Sequence, residues 1–249
     1  MKISDLVEGL PPTEKLYLVD SYLRKAPTKL IRVVKEKGSR YYVVPAHSIF
    51  HPLGGGQPSD RGWLTGDVRF EVKKALESGG VIVLYGKLVE GELVEGMEVT
   101  QELDWERRYY IMRLHTAGHV IDRAVSDVVG RRVNTLGALH GPPKAYVEYG
   151  ARMDDLLLGE IEERANELLD ERRVLILEVS RDELPSKIYG APNLGRLPEM
   201  DRYRVVEIEG VNAIPCSGTH VKNTSEIGSI RLLGLEEIEG GVRLFYDVK

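Results

Sequence analysis

The sequence predicts an α+β fold, with a small N-terminal β-barrel over residues 1–103 and an α+β domain with an antiparallel sheet and helices over residues 104–249. Three observations predict it. Before residue 104, short β-rich runs alternate with glycine turns. From Asp104 the apolar spacing changes to threes and fours, the period of a helix. After the second helical stretch the chain returns to strand-like runs, an order that suits α+β better than a regular doubly wound sheet.

In the first part, KLIRVVKEKGSRYYVVPA reads as two strands around a Lys37-Gly38-Ser39 turn. GWLTGDVRFEVKKALESGGVIVLYGKL continues the rhythm with a break at Ser78-Gly79-Gly80, and LVEGELVEGMEVTQELD supplies a last strand before the boundary. Closely spaced strands with glycine-rich turns point to a small barrel or sandwich. In the second part, DWERRYYIMRLHTAGHVIDRAVSDVVG carries a stripe of Trp105, Tyr109, Met112, Val120, Ile121, Ala124 and Val128. Asp104 suits its N-cap and Gly130 its stop. DDLLLGEIEERANELLDERR predicts a second helix capped by Asp154 or Asp155. VLILEVS reads as a buried strand, and RYRVVEIEG, SIRLLGLEEI and GVRLFYDV as later strands.

Composition limits the function. A chain that is 42% hydrophobic and 29% charged is soluble and globular, and 249 residues suffice for a sizeable core. No apolar run approaches the roughly 18 residues a membrane helix needs, so no membrane partner is expected. MKISDLVEGLPPTEK lacks a long apolar core, so no secretory signal is expected. The single cysteine, Cys216, rules out an internal disulfide framework and fits a reducing compartment, which makes the cytoplasm the expected location. A net charge of −5 argues against nonspecific coating of nucleic acid. Local basic clusters at Arg107, Arg108, Arg113, Arg131 and Arg132 are either solvated faces or a phosphate-contacting surface.

LHTAGH places His115 and His119 four residues apart, hence one turn apart on one helix face. Such a pair is either packed in the core or half of a metal site. CSGTH repeats the spacing about 100 residues later with Cys216 and His220. Cys216 taken alone is a small buried hydrophobe, a nucleophile or a ligand. Together the two pairs supply the four Cys and His donors of a tetrahedral zinc site, the leading reading. This is no protease helix, because Thr116 stands where HExxH needs its glutamate base.

These motifs carry a resemblance. HTAGH followed by CSGTHVKNTSEIG resembles the editing domain of alanyl-tRNA synthetases, and the chain looks most like the freestanding alanyl-tRNA editing (AlaX) proteins of medium length. TEKLYLVDSYL looks like that family's opening strand, HPLGGGQPSDRGWL its glycine-rich element, DWERRYYIMRLHTAGH its approach to the first histidine pair, and EIEERANELLDERRVL its second helix. The resemblance covers about residues 13–248. It implies Zn2+ held by His115, His119, Cys216 and His220. It also implies hydrolysis of the ester joining a wrong amino acid, typically serine and sometimes glycine, to the acceptor end of alanine tRNA. Threonyl-tRNA synthetases share a related editing domain, so the alanine identity is the less specific part.

Further residues gain candidate roles. Thr135 stands where synthetase editing domains often have a pocket glutamine, so it is either an ordinary strand residue or a catalytic-pocket hydroxyl. Gly54, Gly55, Gly56 and Gln57 are either a turn at the barrel rim or a contact for the RNA end or the domain interface, with Gln57 a candidate for the catalytic pocket. With tRNA as partner, Arg107, Arg108, Arg131 and Arg132 become candidates for its acceptor stem. Gly118, where synthetases commonly have threonine, is expected to leave room beside the metal. His140 reads as a turn residue, and His47 and His51 as surface or RNA-facing residues. Four protein ligands normally close a zinc site, so the metal is expected to organise substrate rather than generate hydroxide.

Overall fold

The computed structural model describes residues 2–249, apart from the side chain of Arg196. The chain forms two compact units. The first comprises residues 1–54 and 58–109, and the second residues 55–57 and 110–249.

The first unit begins with α1 (Ile3–Val7), β1 (Glu14–Lys15) and α2 (Leu16–Val19). The run expected to be an opening strand over Thr13–Leu23 is therefore a two-residue bridge and a helical turn, closed by the Asp20 amide donating to the Leu16 carbonyl at 3.0 Å. Strands β2 (Lys25–Lys37), β3 (Arg40–Pro45), β4 (His47–Ser48), β5 (Gly62–Thr65), β6 (Arg69–Ser78), β7 (Val81–Glu90) and β8 (Glu98–Leu103) follow. Six of them close a barrel in the order β2-β3-β7-β6-β5-β8, while β4 pairs in parallel with β1. Alternating residues such as Leu30, Val43, Leu64, Phe70, Val72, Ile82, Leu84 and Val99 fill its core. The β2–β3 and β6–β7 turns fall at the two glycine breaks.

Arg108 is fully buried in this unit. Its Nε donates to Asp60 at 3.0 and 3.1 Å, its Nη1 to the Ser21 carbonyl at 3.0 Å, and its Nη2 to the Ile49 carbonyl at 2.7 Å as well as to Asp60. Asp60 also accepts from the His51 amide at 2.6 Å. Fully buried and bound to protein oxygens, Arg108 presents no surface to a phosphate, which corrects its expected RNA-binding role. His51, expected at the surface, is buried beside Tyr17, their ring centroids 5.1 Å apart.

Helix α3 (Trp105–Val129) begins where predicted: Asp104 Oδ1 accepts from the Arg107 amide at 3.2 Å. Gly130, at φ 74°, ends it. In the second unit α3 is buried almost all round, with Ile111, Met112, Leu114, Ala117, Val120, Ile121, Ala124 and Val125 packed alongside buried His115, Thr116, His119 and Asp122. Strands β9 (Thr135–Leu139) and β10 (Ala145–Tyr149) follow, then α4 (Leu158–Glu167), β11 (Val174–Ser180), α5 (Leu184–Lys187), β12 (Arg202–Ile208), β13 (Asn212–Pro215), β14 (Ile230–Ile238) and β15 (Gly241–Val248). Two antiparallel sheets form, β14-β15-β10-β9 and β11-β12-β13. Asp154 caps a helical turn leading into α4, accepting from the Leu156 amide. β11, expected to be buried, is an edge strand with Ile176 and Glu178 exposed. None of the described helices is long and apolar enough to cross a membrane.

Truncating one partner of the buried Arg108–Asp60 pair strands the other charge, an effect of about 3–5 kcal/mol. Arg108→Met should lower chemical-denaturation stability by that order, whereas Arg132→Met, at an exposed position, should change it little.

Candidate metal centre

Two elements bring the four predicted ligands together. α3 carries His115 and His119 on successive turns, and the segment after β13 carries Cys216 and His220. One donor atom from each lies within 4.8 Å of all the others. Tetrahedral zinc with Zn–S of about 2.3 Å and Zn–N of about 2.0 Å separates sulfur from nitrogen by about 3.5 Å. The Cys216 Sγ stands 3.5 Å from His115 Nε2 and 3.3 Å from His220 Nε2. The donor set and its spacing therefore fit zinc.

The neighbours of these ligands decide which nitrogen carries the lone pair. Gln57 Nε2 donates to Thr219 Oγ1 at 2.9 Å, and Gln57 Oε1 accepts from the Thr219 amide at 2.9 Å. That oxygen also faces His115 Nδ1 at 2.9 Å and can only accept, so Nδ1 carries the hydrogen and Nε2 the lone pair. Thr116 acts likewise on His220. Its hydroxyl donates to the Met112 carbonyl at 2.9 Å and accepts from the Val221 amide at 3.3 Å. His220 Nδ1, 3.1 Å away, must then donate to it, leaving Nε2 for the cluster. Partners that fix tautomer and ring plane in this way are the usual second layer of a metal site.

Charge and burial reinforce the pattern. Burial pulls the His119 pKa down to about 3, helped by His140 and Arg204, so the ring is neutral, the form that ligates. Its Nδ1 is buried with no hydrogen-bond partner among the described residues. Burial pushes the Cys216 thiol up, opposed by Arg204 and the Gly218 amide. The net effect disfavours ionisation, and a thiol kept protonated makes a poor nucleophile, which counts against the nucleophile reading. Arg204 Nη1 donates to the carbonyls of Cys216 at 2.7 Å and Gly218 at 2.9 Å, clamping the CSG turn. Gly218 must be glycine, since a Cβ there would stand 2.1 Å from His115 Cε1.

The glycine-rich segment joins this centre through Gln57. Gly55 and Gly56 take positive φ of 58° and 77°, and the Gly56 carbonyl accepts from the His140 amide at 2.7 Å. Gly54 and Gly55 are exposed, but Gln57 is fully buried, so its side chain reaches the ligands rather than an RNA end.

A family model for the threonyl and alanyl tRNA synthetase second additional domain matches residues 203–246, the stretch that holds Cys216 and His220. A second, for class II (A) tRNA synthetases, matches residues 23–107. The chain is 36% identical to the alanine–tRNA ligase of Sulfurisphaera tokodaii over 98% of its own length and 27% of that protein's. Its similarity to this ligase thus runs over almost its whole length. The ligase of Metallosphaera sedula is 37% identical over 96% of this chain and 26% of its own length, and that of Ignicoccus hospitalis 33% over 97% and 26%. The chain spans about a quarter of the length of the curated relatives it matches.

Thr135 is buried at the start of β9, paired with Tyr149, and its amide donates to the Pro192 carbonyl at 3.1 Å. Arg107 is half-buried and donates to the Ser59 carbonyl at 3.3 Å. Arg131 and Arg132 are exposed, and with Arg123, Ser126, Asp127, Gly130 and Gly190 they line an open groove of about 470 Å³ at the end of α3. His47 is half-buried, with its Nε2 at the Pro27 carbonyl. Gly118 leaves no free room, because the ring of His140 occupies it. His140 does follow a strand, as a turn residue would, yet it is buried and stacked on His115, with centroids 4.3 Å apart. Sequence reading missed Thr116 and Arg204. For Thr116 the contrast with HExxH was a usable signal, whereas Arg204 sits in a strand with nothing in its spacing to mark it.

Gln57→Ala should weaken zinc affinity by about 10–100-fold, measured by chelator competition, through loss of the His115 hydrogen bond. Zinc takes the thiolate, and Cys216 is held protonated without it. Zinc uptake at pH 7 should therefore release about one proton from Cys216, and affinity should fall as pH falls. Calorimetry in two buffers of different ionisation enthalpy counts that proton, and in Cys216→Ala it should disappear.

Proposed function

We propose that the protein is an AlaX-type trans-editing enzyme that hydrolyses seryl, and secondarily glycyl, esters of alanine tRNA at the His115–His119–Cys216–His220 centre. The observation that carries this reading is the convergence of the two four-residue pairs with both flanking imidazole tautomers aligned, in a chain homologous to alanine–tRNA ligases over almost its full length.

An aminoacyl ester is already activated, so its hydrolysis needs positioning and charge stabilisation more than a strong nucleophile. Zinc, when bound, supplies a Lewis acid for an amine or carbonyl oxygen of the substrate. His115, His119, Cys216 and His220 would hold it. Gln57 and Thr116 hold the rings of His115 and His220, and Arg204 holds the turn after Cys216. Half-buried Cys216 and exposed Ser217 and Gly55 mark the accessible side, where a Cβ on Gly55 would stand 3.2 Å from Ser217 Oγ. Thr135 is proposed to read a substrate hydroxyl. Exposed Arg131 and Arg132, beside the groove at the end of α3, are proposed to contact acceptor-stem phosphates, with Arg107 and the glycines at 54–56 as further RNA contacts.

One observation favours a second reading. Four protein ligands are the pattern of a structural zinc site, so a zinc-stabilised tRNA-binding module without catalysis is the alternative. Deacylation of Ser-, Gly- and Ala-tRNA(Ala) by one preparation of known zinc content separates the two. The editing reading expects loss of the seryl and glycyl esters with the alanyl ester spared, and a rate at background in Cys216→Ala. It also expects Arg131→Glu/Arg132→Glu to weaken tRNA binding and flatten its salt dependence. A zinc-loaded protein that binds tRNA and leaves all three esters intact would establish the module instead.

A further inference from the structure

His140 is the fourth imidazole of the second unit's interior, beside the three of the cluster, and the chemistry above leaves it without a task. It is buried. Its Nδ1 lies 2.7 Å from the Tyr246 hydroxyl, which donates its hydrogen to the Leu114 carbonyl at 3.0 Å. One hydroxyl hydrogen cannot serve both contacts, so His140 Nδ1–H donates and Tyr246 accepts. The His140 amide donates to the Gly56 carbonyl at 2.7 Å. Tautomer, ring rotation and backbone are therefore all held.

What this fixed ring touches is His115. The two imidazoles stack with centroids 4.3 Å apart and planes within 15°. His115 is thus bounded by Gln57 at Nδ1, by the Gly218 backbone near Cε1 and by His140 across its face. The position that makes this possible is Gly118. A Cβ there would stand 2.5 Å from His140 Cε1, 2.6 Å from His140 Nδ1 and 3.1 Å from the Tyr246 hydroxyl. Even the smallest side chain at 118 displaces the His140 ring.

We propose that His140 is the positioning residue for the ligand His115, and that position 118 is glycine because it must seat the His140 ring. This rests on reading the four-residue cluster as a metal centre, and it assigns to a pair of residues 22 positions apart a single function, that of setting the plane of one ligand.

The test uses the full chain loaded with zinc or cobalt(II). His140→Ala should weaken metal affinity by about 10–100-fold, the usual cost of a lost supporting residue. It should also shift the cobalt(II) absorption bands, which report ligand geometry. His140→Phe, which retains a planar ring for the stack, should recover most of the lost affinity. Gly118→Ala should reproduce the His140→Ala spectrum. Combining Gly118→Ala with His140→Ala should cost no more than the worse single change, because both disturb one contact. Unchanged affinity and bands in His140→Ala, or single costs that simply add, would overturn the proposal while the metal centre stands. A wild-type chain that takes up neither metal would overturn the centre and the proposal together.

Discussion

The second unit depends on the side chain of Gln57. Three hydrogen bonds of 2.9 Å tie it to His115 and to the amide and hydroxyl of Thr219. A buried amide costs free energy unless it is satisfied, and here the partners that satisfy it are the supports of the proposed metal ligands. One residue thereby sets the tautomer of a helix-borne imidazole and the position of the turn between Cys216 and His220. An alanine would leave the Thr219 amide and hydroxyl and His115 Nδ1 seeking new partners at once. The positive φ of Gly55 and Gly56 is the local condition for bringing the amide into place.

Helix α3 shows the same economy on a larger scale. A surface helix separates a polar face from an apolar one. From Ile111 to Val125 this helix is buried on nearly every side, and its polar residues are buried with the rest. His115 and His119 face the cluster, Thr116 turns its hydroxyl to His220, and Asp122 accepts from the Tyr149 hydroxyl at 2.8 Å. The side chains proposed to be functional are thus part of the core, so packing constrains their rotamers along with those of Leu114 and Val120.

This explains what could be read from the sequence. The barrel was legible because its strands alternate and its turns carry glycine, and α3 because Asp104 and Gly130 mark its ends. The ligand pairs were legible because four-residue spacing is local. What was not legible depends on distance along the chain: Gln57 meets Thr219 across 162 positions, and Thr116 meets His220 across 104. Arg108 misled for a related reason. Beside Arg107 it looks like half of a basic patch, and only the fold reveals Asp60, 48 positions away, as its counter-ion. Gly118 misled in the opposite sense, since a missing side chain suggests open space until the ring of His140 is seen filling it.

The placement of residues 55–57 has an evolutionary consequence. Although they are flanked on both sides by residues of the barrel unit, they pack as members of the other one. A chain cut at the visible change of character near residue 104 would keep all four ligands and lose Gln57. The ligand-bearing half is therefore not a portable cassette. Fusion, fission or transfer to another scaffold would have to carry the short glycine-rich tether along, or replace it with another acceptor for His115. Inheritance of the two units as a single block is what this architecture favours, and the matched segment in the much longer ligases runs across both of them.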